Sequence, residues 1–122
     1  MDPRTLARLH ALGRIAIGSA LTLAPERAAT AWVGDLARRP GTRVLATALG
    51  ARDLALGVGT AVAVSRGYGA SPWLRAAVLA DAADLVATLR ARRHLPPVGA
   101  AGAGVLAAGS VALGLWFQSA VD

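Results

Sequence analysis

Residues 98–120, VGAAGAGVLAAGSVALGLWFQSA, form a run of 23 residues without a charged side chain. About 20 apolar residues in a helix cross the hydrocarbon core of a bilayer, which is roughly 30 Å thick. The glycines of the run would weaken a helix in water, but in lipid small residues let helix backbones approach closely. Trp116 and Phe117 lie near its end, where aromatic belts meet the headgroups. The run therefore predicts a transmembrane helix.

Three further stretches read as shorter or interrupted spans, at residues 6–24, 44–64 and 73–89. Proline, glycine and arginine separate them, as expected of turns between helices. We therefore predict an all-α fold, a single domain over residues 1–122 that forms an integral membrane bundle of four short transmembrane helices. The segment between Pro25 and Arg43 is expected to be a loop with an interfacial helix.

The composition supports lipid as the surrounding medium. Of the 122 residues, 55% are hydrophobic and 16% are charged, against about 25% charged in a typical soluble domain. The 13 basic residues are all arginine and give a net charge of +6, but they stand between apolar runs rather than in an aromatic-rich basic patch, so nucleic-acid binding is not expected. The absence of cysteine excludes disulfides, thiolate catalysis and cysteine-based zinc sites. We predict no metal and no cofactor.

The apolar side of the predicted interfacial helix consists of Ala28, Ala29, Ala31 and Trp32. With Trp73 and Trp116, Trp32 is expected to anchor the protein at the membrane interface. His10 is expected to be an interfacial or satisfied histidine, since no partner stands at ligand spacing.

The distribution of arginine predicts an orientation. The two loops on one side of a four-span bundle carry seven arginines: Arg27, Arg38, Arg39, Arg43, Arg90, Arg92 and Arg93. The opposite side carries four: Arg4, Arg8, Arg66 and Arg75. Because arginine-rich loops stay in the cytoplasm, we expect a multi-pass protein of the cell membrane with both termini extracytoplasmic.

Five charged residues fall deep inside the predicted spans, away from the ends where Arg8 and Arg75 stand: Arg14, Arg52, Asp53, Asp81 and Asp84. A charge facing lipid at a helix centre costs roughly 2.5 to 3.5 kcal/mol on insertion scales, so these groups should turn inward and pair. Asp81 and Asp84 are three residues apart and share a helix face. Arg52 and Asp53 are adjacent, so their side chains point about 100° apart around the helix; both can reach the edge of a shared interior, but they cannot point in the same direction.

Two arginines cannot neutralise three aspartates, so one carboxylate should hold a proton in this apolar setting and serve as a general acid. Asp81, Asp84 and Asp53 are the candidate catalytic residues. Arg14 and Arg52 would bind substrate or set the proton affinity of the carboxylates. The alternative is that the same groups form structural ion pairs that fix the register of alanine-rich helices.

The run Gly50-Ala51-Arg52-Asp53-Leu54-Ala55-Leu56-Gly57 resembles a Gly-Ala-Arg-Asp-x3-Gly motif of small, mostly actinobacterial, four-helix membrane proteins of unknown function. Supporting positions are Gly13-Arg14, Gly18, Ala24-Pro25, Trp32-x-Gly34, Asp81 and Asp84. The resemblance extends to about Leu89 and implies a four-helix fold with a polar centre. It implies no activity.

Three functions remain open from the sequence. The first is an intramembrane site that binds an apolar small molecule or acts on it, by isomerisation, cyclisation or epoxide opening of a lipid-like or isoprenoid substrate. The second is a non-catalytic accessory or assembly subunit of a larger membrane complex. The third is a small proton-coupled carrier, which would have to form a homo-oligomer to enclose a path.

Overall fold

The structure, a computed structural model, describes residues 1–121, which are all-α. Five α-helices and two short 3-10 helices follow one another: α1 Pro3–Leu23, α2 Pro25–Val33, a 3-10 helix Gly34–Arg38, α3 Pro40–Arg66, α4 Ser71–Ala91, a 3-10 helix Arg92–His94 and α5 Pro97–Ala120. Every α-helix has proline in its first two positions, where the missing N–H is not needed and the fixed φ suits the helix. Helix α3 ends at Gly67 in the left-handed conformation, φ 81°, which glycine adopts without strain. Prolines and this glycine thus set the helix boundaries.

The all-α prediction is confirmed. The four predicted spans coincide with α1, α3, α4 and α5 to within about one turn at each end. Within residues 1–121, two helices, α3 and α5, are long and apolar enough by themselves to cross a membrane. Helices α1 and α4 do not qualify by the same measure, because charged residues such as Arg14, Asp81 and Asp84 interrupt their apolar runs.

The segment between the first two predicted spans does contain a helix, α2, whose predicted apolar side is partly packed against the bundle, since Ala31 is exposed and Ala28 and Trp32 are half-buried. Ala29 is buried, and with Ala37 and Ala46 it belongs to a small core beneath α2. Helix α2 also contacts the start of α5. The helix covers one end of the bundle, and its place at a membrane interface stays a prediction.

The four long helices form two pairs, α1 with α3 and α4 with α5, and the pairs contact each other more sparsely. A core that includes Ala7, Val64, Leu74 and Phe117 closes the end of the bundle where both termini lie. The second core lies at the opposite end, beneath α2. Between the two cores the helix pairs diverge, and the buried charges lie at this level.

The outer surface of the long helices is apolar. Large hydrophobic side chains are exposed on all four: Leu12, Ile17, Val58, Val62, Leu79, Val86, Val105, Leu113 and Leu115. A monomeric soluble protein rarely exposes a continuous apolar surface of this kind. At the middle of the bundle, the interior therefore contains charged side chains and the outer surface is apolar.

Candidate functional site

Close contact between α1 and α3 positions the first two charged residues. A Cβ added at Gly18 would lie 2.6 Å from the backbone nitrogen of Leu54 and 2.7 Å from the carbonyl oxygen of Gly50. Only glycine allows the two backbones to come this near. Arg14 lies one turn before Gly18, and Asp53 lies one turn after Gly50, so the glycine contact places their side chains opposite each other.

Arg14 joins three helices through its guanidinium. Its Nη1 donates a hydrogen bond to Oδ1 of Asp53 at 3.0 Å, and its Nη2 donates to Oδ2 of Asp81. The Arg14 side chain is 6% exposed. The arginine predicted on α1 therefore pairs with one aspartate on α3 and one on α4.

Arg52 forms the second half of the network. Its Nη1 and Nη2 donate to Oδ1 and Oδ2 of Asp84 at 3.0 and 2.6 Å, a two-pronged geometry that is among the strongest ion pairs in proteins. Its Nε and Nη2 also donate to Oδ1 of Asp53, at 3.2 and 3.0 Å. Asp53 Oδ1 thus accepts hydrogen bonds from both arginines and helps to orient Arg52.

The structure brings all five sequence-predicted residues into one network, but it gives the three aspartates different surroundings. The arginines hold both oxygens of Asp84, and they share Oδ1 of Asp53. Asp81 receives Arg14 through Oδ2 alone, and no arginine among residues 1–121 reaches its Oδ1. Two carboxylate oxygens in the network are thus not reached by an arginine of the described chain, Oδ1 of Asp81 and Oδ2 of Asp53.

A cavity of about 640 Å³ lies beside the network, between the two helix pairs, with α2 at one end. All five charged residues line it. The rest of its wall is mostly apolar and includes Ile17, Leu21, Leu49, Val98 and Leu106, and the cavity is open on one side, since Val98 and Leu106 are 87% and 67% exposed. A mostly apolar wall with a few convergent polar groups is typical of a site for a small molecule.

Three polar residues that the sequence did not single out as part of the site also line the cavity: His10, Thr88 and Ser110. Ser110 Oγ and His10 Nε2 are 3.5 Å apart, and the His10 ring lies 5.8 Å from that of Phe117. His10 precedes Arg14 by four residues, so their shared helix face was a usable signal. Ser110 had no such signal, because its helix carries no charge to mark a polar face.

The three tryptophans have different environments. Trp73 and Trp116 are 41% and 45% exposed, and the Trp116 ring packs against that of Phe117 at a tilt of 46°, with the centroids 5.2 Å apart. Trp32 instead lines the α2 end of the cavity, and its Nε1 is buried without a hydrogen-bond partner in the described chain. The expected role of Trp32 as an interfacial anchor therefore does not fit its position.

No protein-family model, no curated protein and no solved structure matches this chain. Its resemblance to small four-helix membrane proteins stays a prediction. Among residues 1–121, no three His, Asp or Glu side chains are grouped so that they could hold a metal ion. What the site offers chemically is an apolar volume, two guanidiniums paired with aspartates, and two carboxylates, Asp53 and Asp81, that each keep one oxygen without an arginine.

Proposed function

We propose that this chain is a multi-pass membrane protein that binds an apolar small molecule in the cavity between its helix pairs and acts on it by acid–base chemistry. The observation that carries the proposal is an apolar cavity of about 640 Å³ with a buried network of two arginines and three aspartates on its wall. Carboxylates in such surroundings are expensive to maintain, and in a membrane they are functional more often than not.

The apolar exterior supports insertion of all four long helices. Helices α3 and α5 meet the length and hydropathy of a span directly. In α1 and α4 the central charges are Arg14, Asp81 and Asp84, which are engaged inside the bundle rather than turned to lipid. The remaining charges of these helices, Arg4, Arg8, Arg75 and Arg90, stand in the first or last two turns, from which long side chains reach the interface.

Asp81 is the proposed general acid and base. It would give a proton from Oδ1 to one position of a bound alkene or epoxide and take a proton back from a neighbouring position, so that an isomerisation leaves the enzyme unchanged. Arg14 keeps the carboxylate oriented through Oδ2, and Arg52 holds Asp84 away from the reaction. The substrate class supported by the apolar wall is a lipid-like or isoprenoid molecule.

Binding is tested with the neutral fluorescent ligand N-phenyl-1-naphthylamine and protein in lipid nanodiscs. Gly102 lines the cavity and Gly109 does not, yet an added Cβ at either would have no heavy atom within 4 Å. Gly102→Leu should therefore fill the cavity and weaken binding at least about tenfold, a loss of roughly 1.4 kcal/mol. Gly109→Leu adds the same side chain to the same helix and should bind like wild type. Equal binding by the two variants would refute the cavity as the site.

A second candidate function, an accessory subunit of a larger membrane complex, is favoured by one observation. Both guanidiniums are fully paired within the chain, as expected of a network that serves only to hold helices together. This alternative predicts that Gly102→Leu leaves function intact and that the protein is recovered from mild detergent with a larger partner. Loss of ligand binding in Gly102→Leu, with no partner recovered, favours the small-molecule site.

A further inference from the structure

We infer that the cavity selects a lipophilic monocation, an amine or quaternary ammonium group on a linear apolar body, over neutral and anionic molecules of the same size. This inference rests on the proposed function, because the bound cation would take the place of the proton that Asp81 carries as a general acid, and so it names a class of molecule that the same cavity takes. It follows from the charge of the wall, the position of one oxygen and the shape of the cavity.

The charge of the cavity wall is the first argument. Two arginines and three aspartates line it, which leaves a formal charge of −1 in a largely apolar setting once Asp81 has released its proton. A charge interacts much more strongly in low dielectric than in water, so a bound monocation would balance this excess favourably. An anion would meet the same excess as repulsion.

The arginines offer little to an anion or to a hydrogen-bond acceptor. Arg14 is bound to two aspartates, and Arg52 is bound to Asp84 through two nitrogens and to Asp53 through its Nε. A carboxylate or phosphate would have to displace one of these aspartates, which would leave a buried carboxylate unpaired. The network is closed to anions.

Asp81 Oδ1 is the proposed seat of the positive charge. The Asp81 residue is 7% exposed and lines the cavity, and no arginine in the described part of the chain reaches this oxygen. An ammonium group placed against it would complete the pairing of three aspartates with three cations. His10, on the same helix as Arg14, also lines the cavity. Its Nε2 lies 3.5 Å from Ser110 Oγ.

The apolar body would extend from Asp81 toward α2. Along α5 the cavity runs from Ser110 to Val98, a distance of roughly 18 Å at 1.5 Å per residue. Arg14 and its partner Asp81 lie nearer the Ser110 end, and from Arg14 to Leu21 the helix wall runs about 10 Å further toward α2. This stretch suits a linear hydrocarbon chain rather than a compact ring system.

The test measures displacement of N-phenyl-1-naphthylamine from protein in nanodiscs by three ten-carbon competitors: decyltrimethylammonium, 1-decanol and decyl sulfate. The ammonium should compete at a concentration at least about tenfold lower than the alcohol. A single buried charge pair can give a larger preference than this. Decyl sulfate should be weaker than the alcohol.

Two matched variants localise the effect. Asp81→Asn removes one charge from the cavity and should reduce the preference for ammonium over alcohol to about twofold or less. Asp35→Asn removes the same charge from an aspartate whose side chain is 93% exposed and does not line the cavity, and should keep the wild-type preference. Should Asp81→Asn fail to fold by circular dichroism, Asp84→Asn makes the same change in network charge and decides the point.

The outcomes separate this inference from the proposed function. Equal competition by ammonium and alcohol, in a wild-type protein whose naphthylamine binding depends on Gly102, overturns the cation preference and leaves the small-molecule site standing. A preference that survives both Asp81→Asn and Asp84→Asn also overturns it, because the charge would then lie elsewhere. Absence of naphthylamine binding by wild type overturns the proposed function itself.

Discussion

At the scale of single residues, Arg14 holds the centre of the molecule together. It is a buried arginine with two aspartate partners on two other helices, and Asp81 has no other arginine within residues 1–121. Removal of one partner from a buried ion pair is far more costly than removal of both, because it leaves an uncompensated charge in low dielectric. The network should therefore show strong coupling between its members.

Arg14→Met should destabilise the protein by about 3 to 5 kcal/mol, the usual cost of leaving a buried charge without its partner. The measurement is the concentration of sodium dodecyl sulfate that unfolds half of the protein in mixed micelles. Arg8→Met is the control, since Arg8 lies on the same helix and is exposed. The double variant Arg14→Met with Asp81→Leu should recover part of the loss. Unfolding of both single variants at the same detergent concentration would show that the network does not stabilise the fold.

At the scale of elements, the seam between α1 and α3 explains why the sequence places glycines beside its charges. Gly18 faces Gly50, and Gly57 faces α1 near Ala11 and Ile15, with backbone or side-chain atoms inside 3 Å of any added Cβ. The close approach lets Arg14 span from α1 to both of its partners. In the Gly-Ala-Arg-Asp-x3-Gly run, the two glycines thus allow α3 to approach α1 closely, and the Arg-Asp pair forms part of the ion-pair network.

Gly18→Ala should destabilise the protein by about 2 kcal/mol, since the added methyl group meets backbone that cannot move aside alone. It should also weaken binding of the naphthylamine ligand, because separation of the helices draws Arg14 away from Asp53. Gly13→Ala tests the same exchange on the same helix at a position with no heavy atom within 4 Å of the new methyl group. That variant should be as stable as wild type or slightly more stable. A Gly18→Ala protein with unchanged stability would contradict the seam.

At the scale of the whole molecule, the bundle is apolar outside and charged within, and its arginines lie unevenly at its two ends. The end formed by α2 and the connections to α3 and α5 carries seven arginines, including Arg39 and Arg93. The end with both chain termini carries four. With lipid around the apolar middle, this asymmetry predicts that the arginine-rich end faces the cytoplasm.

The chain contains no cysteine, so single cysteines report this topology without background. Ser119→Cys should react with a membrane-impermeant maleimide added to whole cells, because Ser119 is exposed near the terminus that is expected outside. Arg93→Cys, exposed at the other end, should react only after the cells are permeabilised. The reverse pattern would invert the orientation, and free labelling of both in a soluble fraction would contradict membrane insertion.

The sequence by itself determined the helices and the identity of the buried charges. Proline at helix starts and runs of apolar residues act on neighbouring positions, so local physics is enough to fix them. The cost of an isolated charge in lipid likewise requires that Arg14, Arg52 and the three aspartates pair, whatever the details of packing.

Only the tertiary structure decided which partners meet and what lies beside them. That Arg52 holds both oxygens of Asp84 depends on the relative position of α3 and α4, which are joined by few contacts, and that Asp81 receives only Arg14 depends on the position of α4 against α1. The cavity, and the presence of His10 and Trp32 in its wall, arise where two helix pairs diverge. Such a gap depends on how residues far apart in the sequence pack against one another, so it cannot be predicted from local sequence patterns.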